Sequence, residues 1–299
     1  MAKRLLIIGS SGYVGSYLTQ TLTASGHSVT GVDRRPSQFT DFACAFQTLD
    51  TSFYKAFDGI LHFAGVSSVS AAQSDPAMTM RENLGDLITL ACSLEPEQRL
   101  IYASSASVYS DLSSRCDQTT LRDSLETDSL PPPTNAYDAS KASLDHALTF
   151  GFPEQQTVGL RMGTVSGVTA LTKNMRNELV LNAMVQSAVQ KHHISLRNPD
   201  AGRALVCLQD LALYVEYLVN ASALSPRILN VASFNTTIGE IARTVSEFTG
   251  APIHLFNQTE TYSFRMNCDL LASICPSVVR SSLTDQIEKL TIFYGQHAS

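Results

Sequence analysis

Arg4-Leu5-Leu6-Ile7-Ile8-Gly9-Ser10-Ser11-Gly12-Tyr13-Val14-Gly15 is the stretch on which the fold turns. Arg4 to Ile8 is a short run rich in Leu and Ile, which fits a buried strand. Glycines at 9, 12 and 15 follow, and Tyr17 to Leu22 continues at helical spacing. Strand, glycine turn, helix is the order that a dinucleotide pyrophosphate requires. The glycines let backbone approach the phosphates, and the helix start offers unpaired N–H groups and a positive dipole end. The spacing is Gly-x-x-Gly-x-x-Gly rather than the commoner Gly-x-Gly-x-x-Gly. Its place between a strand and a helix favours binding over a mere tight turn, with Gly9, Gly12, Tyr13, Val14 and Gly15 against the cofactor.

Outward from that turn, Ser28 to Val32 reads as a second strand ending at Asp33, eighteen residues after Gly15. A carboxylate there accepts hydrogen bonds from ribose hydroxyls and repels a 2′-phosphate, which favours NAD over NADP. Arg34 and Arg35 stand against this, since either is able to pair with a 2′-phosphate. Ala45 to Leu49 reads as a third strand, with Asp50 at its end facing the adenine amino group. Ile60 to Gly65 is a fourth, whose small end, Phe63-Ala64-Gly65, leaves room beside the cofactor. His62 within it is expected to be a core residue rather than a catalytic one. Asp75 to Leu94 has helical spacing with Asp75-Pro76 as its start. Asn83 inside it faces water unless its amide anchors backbone near the site.

Arg99 to Ala103, a fifth strand, delivers Ser104-Ser105-Ala106-Ser107-Val108-Tyr109 to the strand end, where ligands bind in open parallel sheets. A long polar connection from Ser110 to Pro133 follows, of a length more often functional or mobile than structural. Then comes Tyr137-Asp138-Ala139-Ser140-Lys141 at the head of a helix from Asn135 to Phe150. The Tyr–Lys spacing puts phenol and ammonium on one face, where the ammonium favours the ionised phenol. Thr157 to Met162 is a sixth strand. Alternation of strand and helix over about 165 residues is the pattern of a doubly wound parallel α/β sheet. Beyond it, Lys173 to Gln190 reads as one helix, with shorter strands and helices to the end.

Taken together, these segments resemble the extended short-chain dehydrogenase/reductase superfamily and its NAD-dependent epimerase/dehydratase group. The parts that carry the resemblance are Gly9/Gly12/Gly15, Asp33, His62 to Gly65, Ser104 to Tyr109, Tyr137/Lys141, and Leu160-Arg161 leading to Gly167. The resemblance implies a Rossmann sheet with a smaller C-terminal substrate-binding lobe. The dinucleotide domain would span 1–165, with 203–233 returning to it, and the lobe 166–299. It implies Tyr137 as acid/base, Lys141 on the nicotinamide ribose, and Ser105 orienting the reacting oxygen. Thr164 stands where many members carry a substrate-binding asparagine, and Arg203 matches an arginine that pairs with a nucleotide diphosphate, unless it is a solvated strand-edge charge. Dehydratases of the group follow the catalytic hydroxyl with Asp-Glu, so Ala106 and Ser107 disfavour elimination. A homodimer is implied, paired through the helices at 75–94 and 135–150.

The remaining readings narrow the class. The chain has 299 residues, 44% hydrophobic and 16% charged, with net charge −6. That composition is globular and offers no basic surplus for nucleic acid. No apolar run approaches the ~20 residues of a membrane span, and neither a signal peptide nor an anchor is expected. Cys44, Cys92, Cys116, Cys207, Cys268 and Cys275 lack paired close spacing, which reads as reduced thiols of a cytoplasmic protein with no metal site. The expected function is an NAD-dependent epimerase or ketoreductase of a nucleotide sugar. The alternatives are a reductase or dehydrogenase of a non-nucleotide alcohol or carbonyl, and a cofactor-sensing module without turnover.

Overall fold

Among the described residues twelve strands follow one another: β1 (Arg4–Ile8), β2 (Ser28–Asp33), β3 (Phe42–Ala43), β4 (Gly59–His62), β5 (Arg99–Ser105), β6 (Gln156–Met162), β7 (Thr164–Ser166), β8 (Ile194–Leu196), β9 (Gly202–Cys207), β10 (Ile228–Val231), β11 (Phe234–Thr237) and β12 (Ile253–Leu255). The structure is a computed structural model and describes residues 2–110, 123–259 and 261–297. Residues 111–122 of the 110–133 connection, Cys116 included, lie outside the described residues. Seven strands pair in parallel in the order β3-β2-β1-β4-β5-β6-β10. The chain runs from β1 outward to β3, then crosses to β4 on the other side of β1. That reversal opens a crevice at the C-terminal ends of β1 and β4, where doubly wound sheets bind ligands.

Leu5 to Ile8 and Gly59 to His62 are buried on both faces, as central parallel strands must be. Alternate residues serve opposite layers. Leu5, Ile7, Leu61, Ile101, Val158 and Leu160 join one core with Leu18 and Leu22 of the helix Tyr13–Ala24 and with the helix Leu208–Asn220. Leu6, Ile8, Ile60, Leu100 and Tyr102 join the other with Leu87 and Leu90 of Asp86–Cys92 and Leu144 and Leu148 of Ala136–Gly151. A third core unites the helices Val180–Lys191, Ile238–Thr249 and Leu283–Gln296 with Ile194 and Leu196 of β8. This is the smaller C-terminal body. Of the 203–233 stretch, β10 enters the main sheet, whereas β9 lies in a small sheet between β11 and β7.

Three local expectations are revised. The third strand is only Phe42–Ala43, and the expected Ala45–Leu49 strand is instead a 3₁₀ turn at Phe46–Thr48. The helix expected over 75–94 is broken into Pro76–Met80, a π turn at Arg81–Gly85, and Asp86–Cys92. The helix expected from Lys173 starts at Val180, after a 3₁₀ turn at Thr172–Asn174. Among the described residues no helix is long and apolar enough to cross a membrane.

Candidate active site

The glycine turn is built for close approach. Gly9 has φ +93°, and a Cβ there would lie 2.8 Å from Ala64 N and Phe63 C. A Cβ on Gly15 would fall 2.0 Å from the Gly9 carbonyl oxygen, so helix and strand meet with no room for a side chain. The helix Tyr13–Ala24 starts at Gly12 without a side-chain cap, which leaves its first N–H groups facing the crevice. Gly9, Gly12, Tyr13 and Val14 border a cleft of about 1000 Å³. The Tyr13 side chain points away from it: the phenol donates to Gly167 O at 2.5 Å and accepts from Asn182 Nδ2 at 3.0 Å.

Asp33, at the end of β2, borders the same cleft. Its carboxylate accepts from the backbone N–H of Ser11 (3.1 Å) and of Arg35 (2.9 Å), which fixes it beside the glycine turn. Arg34 is held by Glu82 through two bonds of 2.9 and 3.2 Å. Asp50 does not reach the site. Its side chain caps the helix Thr51–Tyr54, accepting from Ser52 N at 2.8 Å, and Cys44 to Gln47 form the cleft wall instead. The adenine contact expected of Asp50 fails because the chain turns there rather than continuing as a strand.

Phe63, Ala64 and Gly65 line the cleft beyond β4. His62 is buried, edge-on to Phe46, and burial lowers its pKa to about 3, so it is a neutral core histidine. Asn83 has the anchoring role left open by the sequence. Its amide accepts from Val66 N at 2.8 Å and donates to Val66 O at 3.0 Å and to Ser140 Oγ at 3.1 Å.

Ser105, Tyr137 and Lys141 converge on the cleft from β5 and the helix Ala136–Gly151. Lys141 Nζ donates to Ala103 O at 2.8 Å and lies 5.9 Å from the centre of the Tyr137 ring. Burial lowers the Lys141 pKa to about 8, with the Asp145 charge acting the other way. The Tyr137 phenol stands above its ordinary value, chiefly because it is desolvated. A hydrogen bond with Ser105 and the Arg176 charge oppose that rise, and the neighbouring Asp138 adds to it. Desolvation, rather than the nearby ammonium, is the largest influence on the phenol in this arrangement.

Ser105 Oγ accepts from Ser107 N at 3.2 Å and shares a 2.8 Å bond with Ser107 Oγ. Ser107 Oγ donates to Asp138 Oδ1 at 2.6 Å, and Asp138 Oδ2 accepts from Asn135 Nδ2 (2.6 Å) and Tyr262 OH (2.9 Å). Sequence reading missed this set: Asp138 sits visibly beside Tyr137, but its partners come from residues 107 and 262.

Thr164, Lys173, Arg176, Tyr262 and Phe264 also line the cleft. Arg176 donates to Ser67 Oγ at 2.8 Å and pairs with Glu178. Arg203 is not among the lining residues and is buried. Its guanidinium donates to Gly202 O, Tyr262 O and Thr261 Oγ1 and lies over the Phe264 ring. It is thus buried rather than a solvated strand-edge charge, and it stands behind Tyr262 and Phe264 of the cleft lining. It holds the segment that supplies Tyr262.

The glycine cradle, the uncapped helix start and the carboxylate at β2 are a donor and acceptor set that fits a dinucleotide. Comparison with known proteins bears on the same reading. Residues 5–232 match the NAD dependent epimerase/dehydratase family. A UDP-glucose 4-epimerase of Streptomyces lividans is 25% identical over 287 residues, covering 85% of this chain and 83% of that protein. UDP-glucuronic acid decarboxylase 1 of Xenopus tropicalis is 24% identical over 261 residues, 83% of this chain and 61% of that protein. The structure of MoeE5 in complex with UDP-glucuronic acid and NAD superposes with a TM-score of 0.83 over 99% of this chain and 100% of that one, at 19% identity, which establishes a shared fold.

Proposed function

Because this chain belongs to the NAD dependent epimerase/dehydratase family, we propose that it binds NAD in the cleft and acts as an epimerase on a nucleotide sugar. The observation that carries the reading is the convergence of Ser105, Tyr137 and Lys141 beside the glycine cradle in one cleft. Gly9, Gly12 and the start of the helix Tyr13–Ala24 would hold the pyrophosphate, and Asp33 the adenosine ribose. Lys141 would hold the nicotinamide ribose. Bound NAD supplies a hydride acceptor and, when reduced, a donor. Tyr137 exchanges the proton of the reacting hydroxyl, and Ser105 orients that oxygen.

Asp33 supports NAD over NADP, because a 2′-phosphate would meet its carboxylate while Arg34 is engaged by Glu82. At the substrate end, Lys173 and Arg176 are the cations that border the cleft and would face a diphosphate, with Thr164 near the sugar. Ala106 and Ser107 in place of an acid pair weigh against elimination. The engagement of Arg203 by Tyr262 and Thr261 favours one second reading, a reductase or dehydrogenase of a non-nucleotide alcohol or carbonyl.

A panel of UDP-, GDP- and dTDP-hexoses, followed by sugar chromatography and nicotinamide absorbance, tests the proposal. Epimer formation without net NADH is expected. Tyr137→Phe should reduce turnover by about 10²–10⁴-fold with little change in NAD affinity. Stoichiometric NADH change with one sugar would replace epimerase by dehydrogenase, and silence across the panel would favour the second reading.

A further inference from the structure

Two arginines follow the carboxylate at the end of β2, and a side chain from another part of the chain takes hold of one of them. Asp33, Arg34, Arg35 and Glu82 all line the cleft. Arg34 comes directly after β2, whereas Glu82 comes from the π turn Arg81–Gly85, 48 residues further on. The guanidinium meets both carboxylate oxygens, Nη1 donating to Oε1 at 2.9 Å and Nη2 to Oε2 at 3.2 Å. This is the forked geometry in which arginine holds a carboxylate or a phosphate. The edge given to Glu82 is not free for a phosphate.

The two partners are not equally mobile. The Glu82 side chain is 11% exposed and that of Arg34 65%. Asn83, next to Glu82, is bonded to both backbone polar groups of Val66, which pins the turn that carries the carboxylate. Glu82 is therefore the fixed member, and Arg34 the long exposed side chain that moves once released. The bond with Glu82 holds the Arg34 guanidinium above its ordinary pKa against burial, and the charges of Glu82, Asp33 and Asp86 act in the same direction as the bond. A phosphate that took Arg34 would leave a largely buried carboxylate without its cation, which is unfavourable.

We propose that Glu82 is a specificity-determining residue, which withholds Arg34 from a 2′-phosphate and so lets the Asp33 carboxylate select NAD. The inference rests on the reading that a dinucleotide sets its adenosine ribose at Asp33. It adds a second acidic residue, without which Asp33 would stand beside a forked cation able to offset its repulsion. Loss of the Glu82 charge turns Arg34 from an internal partner into a phosphate ligand. Arg35, whose Nε lies 3.7 Å from Asp33 Oδ1, is the same in wild type and variant and enters both alike.

Calorimetry of NAD and NADP on the whole protein and its variants tests this. The ratio of the NADP to the NAD dissociation constant should fall about tenfold in Glu82→Gln, with the change carried by NADP. A mere change of net charge would act without Arg34, so the two substitutions are combined. Arg34→Ala should weaken NADP about tenfold in the Glu82→Gln background, and by a much smaller factor where Glu82 still holds the guanidinium. An unmoved ratio in Glu82→Gln overturns the proposal. Equal effects of Arg34→Ala in the two backgrounds also overturn it, because Glu82 is then only a nearby charge. A wild type that prefers NADP does the same, since Arg34 is then not withheld. If Glu82→Gln fails to fold, Glu82→Ala takes its place in the cycle. A wild type that binds neither dinucleotide overturns the cofactor reading and the proposal with it, whereas NAD binding with an unmoved ratio overturns the proposal alone.

Discussion

Lys141→Met should make the protein more stable and inactive. The ammonium is 6% exposed, and burial takes its pKa from 10.5 to about 8. At about 1.4 kcal/mol per pH unit, the folded state bears roughly 3 kcal/mol for keeping that proton at neutral pH. Met has similar length and no charge to desolvate. It forfeits the bond to Ala103 O, which offsets about 1 kcal/mol. A net gain of about 1–2 kcal/mol corresponds to a rise in Tm of about 2–5 °C for a chain of this size. Below about pH 8 both folded and unfolded chains carry the proton, and the whole cost falls on the folded state. Between 8 and 10.5 the folded chain releases it while the unfolded chain keeps it, so the cost fades as pH rises. The advantage of Met over Lys should accordingly be largest at pH 7 and shrink toward pH 10. Thermal melting followed by far-UV circular dichroism suits a chain without Trp. A Met variant that melts at or below the wild type at pH 7, or whose advantage grows with pH, refutes the reasoning.

Calorimetry should show NAD binding more tightly than NADP, and Asp33→Ala should narrow that difference by about tenfold; an NADP preference in the wild type would mean that Arg34 or Arg35 prevails. Light scattering at micromolar concentration should give a mass near twice the 32.4 kDa of one chain. Phe150, 76% exposed at the end of the helix Ala136–Gly151, is the apolar residue to change, and Phe150→Asp should shift the mass toward one chain. A wild-type mass of one chain would remove the dimer.

What the sequence made legible is what is local. The strand, glycine turn and helix at 4–24 lie within one contiguous stretch, and each glycine has its steric reason there. Tyr137 and Lys141 share one helical turn. The central strands are legible because burial on both faces requires an unbroken apolar run. Asp50 misled because a short apolar run before a carboxylate reads alike as a strand or as a turn before a helix cap, and only the neighbouring chain decides between them. Arg203 was illegible for a different reason: position along the chain does not tell which of several acceptors a five-donor guanidinium meets, and here it meets Gly202, Thr261 and Tyr262. The environment of the Tyr137 phenol was only partly legible, because spacing shows the ammonium but neither the desolvation, which is the largest influence on it, nor the adjoining Asp138 charge.

Asn83 shows how the two halves of the site are kept in register. Gly65, at φ +114°, turns the chain out of β4, and a Cβ there would come within 2.4 Å of Asn83 Oδ1. The amide closes on Val66 through both its oxygen and its nitrogen, and the same nitrogen reaches Ser140 Oγ, which donates to the Tyr137 carbonyl at 2.7 Å. One side chain thus ties the cleft wall after β4 to the turn of helix that presents the phenol. An asparagine in a regular helix would not be expected to fill all these bonds while buried. Here it lies in the π turn Arg81–Gly85, and such turns are frequent at functional sites. The irregular turn gives up regular helix bonding locally, and the three amide bonds compensate for it. The distance between phenol and cleft wall is therefore set by packing inside the protein before any ligand arrives, which the proposed mechanism requires if hydride and proton are to move within one bound complex.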